Sequence, residues 1–440
     1  MFAVLRGFVV ALLVFVGAAC ALFWWVLETE PAVQANSAQQ LEDADTVKAL
    51  MQQLQLSSVR RNQTQHVSLY EAQLNSLMGL VQRARPHLGG NVSLREQRGH
   101  VAFTWQVWKG ASPRYLNVHI AAKDSDGVQL DAVSVGRLPL PANTVLELLV
   151  WLADWHTQSD IASQFVSKIS QVRFLPEQMV LTLQPVDALL QQLNTIRTGI
   201  AGEENEFQRQ RVATYLRFLH GLPAASLSSA SDLNTFLQPL FERVRRECEA
   251  ADVCRSMEEN QAAILALAVY AGHHRVANLI GAVQPPDQVL LPKRRPTLHG
   301  RTDLTQHFLI SAALQILAQQ GVSSAIGEFK ELMDRANGGS GYSFVDLAAD
   351  MAGISLARWL AQPTVAQDIQ RHLASVESSA DYFPGIEGLP EGLDKRQFQM
   401  TYGNIDSQAY RQQVAQIEQR VNRVPLFQQL RQRQSADPSE

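Results

Sequence analysis

Apolar positions along this chain change period several times, and each change marks an element. From Gly7 to Leu27 (GFVVALLVFVGAACALFWWVL) no position is charged. A helix over that stretch rises about 31 Å, enough to cross the hydrocarbon core of a bilayer. Trp24 and Trp25 fall where an interfacial aromatic belt is expected, Arg6 precedes the stretch, and Glu28 and Glu30 follow it. The positive-inside rule then leaves a short cytoplasmic end and places the rest of the chain outside. This predicts a single-pass transmembrane anchor over 1–30. A cleaved signal peptide is the rival, with an apolar core usually shorter than this one.

Residues 31–65 are polar and Gln-rich, with a weakly amphipathic stretch at Val47, Leu50, Met51 and Leu54. That pattern predicts a tether holding a marginal helix. Ser68 and Glu71 have capping-box spacing and predict a helix from there to about Arg83. Strict alternation follows at Val101, Phe103, Trp105 and Val107, again at Leu116, Val118 and Ile120, and again at Val128, Leu130 and Ala132. These are half-buried strands, with Asp124 to Gly127 as a turn. The switch of phase to Val133 and Val135 predicts a bulge. Leu138 to Pro141 ends the ladder, a helix runs from about Asn143 to Lys168, and two short strands around Val172 and Val180 hinge at Pro176. The result is an antiparallel α+β domain over 66–185.

Beyond Val186 helical periodicity dominates. Helices near Glu206–His220, Ser231–Arg246 and Glu259–Val283 predict a helical domain over 186–290. A Pro-rich basic connection from Gln284 to Pro296 then leads to a helical hairpin domain over 291–385. In the last segment, 386–440, Tyr410, Val414, Ile417 and Val421 have coiled-coil-like spacing, so this helix either docks on the body or pairs with a partner. The fold class is thus α+β: a transmembrane helix, an antiparallel sheet with packed helices, then an all-α C-terminal half.

Composition narrows the function. The 440 residues are 46% hydrophobic with a net charge of −4, and Lys and Arg gather in no stripe interleaved with aromatics, which excludes nucleic acid as a partner. The chain carries no HExxH zinc motif, P-loop, dinucleotide fingerprint or nucleophile elbow. Cys20 falls in the apolar run, leaving Cys248 and Cys254. Six residues apart in one helix, their Cα atoms would be about 9 Å apart, too far to bridge. A disulfide therefore requires a break at Ala250 to Val253, and it fits an oxidising periplasm.

Candidate chemistry gathers between Asp303 and Ala361. Asp303, His307, Ser311, Gln315 and Gln319 recur every fourth residue. They are either the solvent face of an amphipathic helix or a site in which Asp303 fixes the His307 tautomer. Glu328, Glu331 and Asp334 follow, with Lys330–Asp334 and Glu331–Arg335 at ion-pair spacing. Ser343 reads as an N-cap with Asp346 at the third helical position. Asp350, one turn on in a helix otherwise apolar nearly all round, needs a partner from Lys330, Arg358 or His307. The candidate catalytic residues are His307, Glu331, Asp346 and Asp350. No cofactor is indicated, and a metal is left open.

The order DxxxHFxxSA, G, KExxD, GxSxxDLxxD, G occurs here as Asp303, His307-Phe308, Ser311-Ala312, Gly327, Lys330-Glu331, Asp334, Gly341, Ser343, Asp346-Leu347, Asp350 and Gly353. It resembles the YfiM-type lipoproteins and, more distantly, VanZ-like membrane proteins, although Leu304 stands where those have Lys. The sheet domain loosely resembles the extracytoplasmic domain of YpmS-type proteins. The resemblance implies a bacterial envelope protein and no reaction; with the apolar run at 7–27 as anchor, the expected place is the inner membrane with the bulk of the chain periplasmic. Three functions follow as expectations. One is binding or scaffolding of an envelope component, with the acid and His cluster as a buried lock. Another is a hydrolase acting on lipid or cell-wall material, with or without a metal. The third is lipid binding by the sheet domain.

Overall fold

The alternating segments pair as the pattern requires. In the computed structural model, residues 17, 23–34, 36–59, 63–110, 112–157, 160–185, 203–222, 231–272, 295–317, 330 and 340–436 are described. They divide into two units, Met1–Leu193 and Asn194–Glu440.

The first unit runs α1 (Ser37–Gln40), α2 (Ala44–Val59), β1 (Gln65–Tyr70), α3 (Glu71–Ala84), β2 (Leu88–Arg95), β3 (Arg98–Trp108), β4 (Arg114–Lys123), β5 (Ser125–Asp126), β6 (Leu130–Val135), β7 (Leu138–Leu140), α4 (Ala142–Thr157), α5 (Ile161–Lys168), β8 (Ile169–Leu175) and β9 (Gln178–Leu183). Two antiparallel sheets form, ordered β2-β3-β4-β6-β7 and β1-β9-β8-β5. Phe103 pairs with Val118 and Val118 with Val135, so the predicted apolar alternation shares one face. The expected bulge sits at Asp131: Ala121 pairs with Ala132 but Ala122 with Leu130. Val92, Leu94, Ile169, Val172 and Phe174 form a buried core joining the two sheets.

Three expectations change. Ser68 is in β1 and is not the N-cap of α3. Helix α3 begins after Tyr70, whose N–H is taken by the Gln73 side chain, while Glu71 accepts from the Leu94 N–H at 2.6 Å. Strand β2 was hidden by Gly89 and Gly90, which break the apolar alternation. Most of the expected tether is folded structure. Glu28 and Tyr115 exchange backbone hydrogen bonds at 2.9 Å, and the Ala32 and Val33 N–H groups donate to Asn117 and Thr104. Ala38, Leu41, Ala44, Val47 and Leu50 are buried. Small side chains at helical spacing in a Gln-rich context suffice here because Gly79 lets α3 approach Gln40 and Leu41 closely. The apolar run 7–27 lies outside the described residues except Gly17 and 23–27. Among the described residues no helix is long and apolar enough to cross a membrane.

The second unit contains α6 (Glu203–Gly221), β10 (Ser231–Asp232), α7 (Asn234–Ala250), α8 (Ser256–Gly272), β11 (Pro296–Thr297), α9 (Thr302–Leu317), α10 (Phe344–Leu360), α11 (Ala366–Ala374), α12 (Lys395–Tyr402), α13 (Gln408–Asn422) and α14 (Pro425–Ala436). The boundary expected near residue 290 does not divide it: β10 pairs in parallel with β11, and α8 packs on α9. Helix α7 stops at Ala250, residues 251–253 bend, and Cys248 is bonded to Cys254 with Cα atoms 4.9 Å apart. The break is the one a bridge requires. Residues 273–294 and 437–440 lie outside the described residues, and so does the dipeptide His273-His274.

The C-terminal helix is two helices, and its apolar side docks within the unit. Tyr410, Ile417 and Val421 are buried, and the Tyr410 hydroxyl meets that of Tyr342 at 2.7 Å. Phe344, Phe398 and Tyr402 complete an aromatic cluster around that pair. Just before Tyr342, Gly341 has φ +84°, and a Cβ there would overlap the backbone of Gly392. This cluster holds the start of α10, and α10 carries the site.

Candidate functional site

Helices α9 and α10 approach so closely that a Cβ at Gly353 would overlap the Phe308 carbonyl oxygen. The approach brings His307 and Ser311, one turn apart on α9, against Asp350 and Asp346, one turn apart on α10. His307 Nδ1 lies 3.1 Å from Asp350 Oδ1, and the Ser311 hydroxyl donates to the same oxygen at 2.6 Å. His307 Nε2 lies 3.7 Å from Asp346 Oδ2 and 3.3 Å from Lys330 Nζ. Ser343 is the N-cap as expected, its Oγ accepting from the Asp346 N–H at 3.0 Å. The helix N-terminus therefore also favours a charge at Asp346.

Burial is deep. Asp350 is 3% exposed and Asp346 8%. Asp350 Oδ2 and Asp346 Oδ1 are buried with no hydrogen-bond partner among the described residues, although Arg301 comes within 3.7 Å of Asp346 Oδ1. Arg301 itself donates to Asp303 at 2.6 Å and to Glu391 at 2.7 Å.

These contacts set the protonation states. Burial alone would lower the His307 pKa, but the charge and hydrogen bond of Asp350, helped by Asp346 and opposed by Lys330, raise it to about 9. At neutral pH His307 is therefore an imidazolium, a partner for the carboxylates and not a base. Asp346 is pushed above the usual carboxylate range by burial, which the charges of His307, Lys330 and Arg301 only partly offset. Asp303 goes the other way, because Arg301 donates to it.

The structure brings His307, Asp346 and Asp350 together, and Asp350 takes its partner from the expected set. Arg358 is exposed and Lys330 faces the opposite side of the imidazole. Two expectations fail. Asp303 does not orient His307: it is exposed and held by Arg301. Nor is the stripe a solvent face, since Ser311 and Gln315 are buried. Glu331, with Glu328 and Asp334, lies outside the described residues. Arg301 went unremarked in the sequence, where only its place two residues before Asp303 pointed to it. Among the described residues no set of three His, Cys, Asp or Glu side chains is arranged to hold a metal ion.

The Asp346 environment yields a prediction against intuition. A carboxyl whose folded pKa is raised contributes stability only below its unfolded pKa, and that contribution is lost as pH rises through the folded value. At pH 7 the Asp346 charge is thus a net cost, and Asp346→Asn is expected to leave the second unit as stable as the wild type or more so. Urea midpoints of the two full chains at pH 7 check this; a lower midpoint for Asp346→Asn would contradict it.

The chain matches no protein-family model, no curated protein and no solved structure.

Proposed function

We propose that this is a membrane-anchored envelope protein that binds or scaffolds an envelope component. In this reading the 7–27 segment spans the inner membrane and both units are periplasmic. The observation that carries it is the buried imidazolium–carboxylate pair of His307 and Asp350, clamped between two helices in van der Waals contact. With Asp350 on one ring nitrogen, and Asp346 and Lys330 both near the other, His307 ties α9 to α10 through a buried charged contact. The Cys248–Cys254 bridge supports an oxidising compartment. The likeness of the Asp303 to Gly353 motif to YfiM-type lipoproteins supports the envelope.

One observation favours a second reading. A buried carboxylate with an oxygen that has no hydrogen-bond partner among the described residues is a candidate functional group. Asp346 is such a group, and protonated it would serve as an acid in a hydrolase acting on lipid or cell-wall material.

Two assays test the proposal. Protease added to intact bacterial spheroplasts expressing the full chain is expected to digest both units; protection with the membrane sealed would contradict the topology. In the same cells Asp346→Asn, folded and bridged, is expected to preserve envelope function. Loss of function in this variant would favour the hydrolase instead.

A further inference from the structure

Helix α4 of the first unit is not explained by its own fold. Its sequence, ANTVLELLVWLADWHT, is dominated by Leu, Val and Trp, yet none of residues 142–155 is buried. Among the described residues its main packing partners are β6 and α5. Leu148, Leu149, Trp151 and Trp155 are each about half exposed or more, Trp155 reaching 68%, and the Trp151 and Trp155 rings stack with centroids 6.2 Å apart. A soluble domain rarely leaves so large a contiguous apolar surface without an occupant.

The end of the apolar run indicates which occupant. No linker separates Leu27 from the sheet. Glu28 is hydrogen-bonded in both directions to Tyr115 in β4, and the Val26 carbonyl rests on Gly136 in the β6–β7 turn so closely that a Cβ there would overlap it. Helix α4 starts directly after β7. Phe23, Trp24 and Trp25 are each at least 50% exposed. The Arg114 guanidinium lies 5.2 Å over the Trp24 ring, across the strand pair from exposed Trp108, and Lys109 follows Trp108. Tryptophans beside basic side chains at the exit of an apolar segment suit the headgroup level of an anionic bilayer. A helix with Trp and Leu exposed suits the acyl boundary just below. Of the two acids on α4, Asp154 is engaged in accepting from the Ala162 N–H at the start of α5.

We infer that α4 lies in the interface of the membrane from which the chain emerges, so that the first unit is seated on the lipid surface and not held away from it. The inference rests on the anchored reading above and adds a second, lateral contact with phospholipid.

The test uses the full chain with Cys20→Ser and its native disulfide, carrying one added cysteine: Phe23→Cys, Leu148→Cys or Met400→Cys, all at exposed positions. Each is labelled with a bimane fluorophore and reconstituted into phosphatidylethanolamine–phosphatidylglycerol vesicles, with or without doxyl-labelled acyl chains. Emission is expected to be lost to doxyl quenching at 23 and 148 but not at 400. Quenching at 23 without quenching at 148 overturns the inference and leaves the anchor standing. Quenching at neither removes the anchor, and the inference with it. A blue shift at 148 that doxyl lipid does not quench shows a protein surface, such as a second copy, covering α4, and also overturns it.

Discussion

Asp350→Ala is expected to destabilise the second unit by about 3–5 kcal/mol, the usual cost of removing one partner from a buried ion pair. The loss has three parts: a cavity, an imidazolium at His307 deprived of its nearest carboxylate, and a Ser311 hydroxyl deprived of the oxygen it donates to. Asp350→Asn keeps the shape and an acceptor for Ser311, so it should fall between wild type and alanine. Urea unfolding of the full chain, followed by protease resistance of α10, measures both. An alanine variant as resistant as the wild type would remove the lock from the account.

Gly353→Ala is expected to cost about 3 kcal/mol, the upper range for overpacking a well-filled core. The sign is the informative part. In an exposed helix interior the same change gains about 1 kcal/mol from propensity. Here the added methyl meets the Phe308 carbonyl, which is main chain and cannot rotate away. The helices must part, and parting them lengthens the His307–Asp350 contact. The variant should therefore show both a lower urea midpoint and a His307 pKa moved back toward the ordinary histidine value. A stabilised variant would mean that α9 and α10 are farther apart than described.

Strand pairing was legible wherever one sheet face is apolar, as in β3, β4 and β6, because period two leaves a single register that buries Val, Ile and Phe together. It was illegible in β2, where Gly89 and Gly90 interrupt the period. It was also illegible at 28–50, where backbone hydrogen bonds to β4 and small residues such as Ala38 and Ala44 carry the packing. In the site, Asp350 announced its need for a partner, since a carboxylate in an apolar helix must be met by something, but left Lys330, Arg358 and His307 equally open. Gly353 gave no such signal, because close approach of two backbones depends on the crossing geometry. Arg301 was equally silent: its capture of Asp303 is set by the turn before α9, not by helical spacing. The capping box at Ser68 misled because the same residue types serve a strand that ends in a helix start.

The pH dependence of stability tests the lock most directly. His307 has an unfolded pKa of 6.5 and a folded value of about 9. Its contribution is fully present below about 6.5 and is lost as pH rises through about 9. Pulse proteolysis of the full chain across urea gradients from pH 6 to 9.5, beside His307→Gln, is the measurement. The account predicts that the wild-type advantage over the variant shrinks steadily across that range. An advantage that does not change with pH would contradict it.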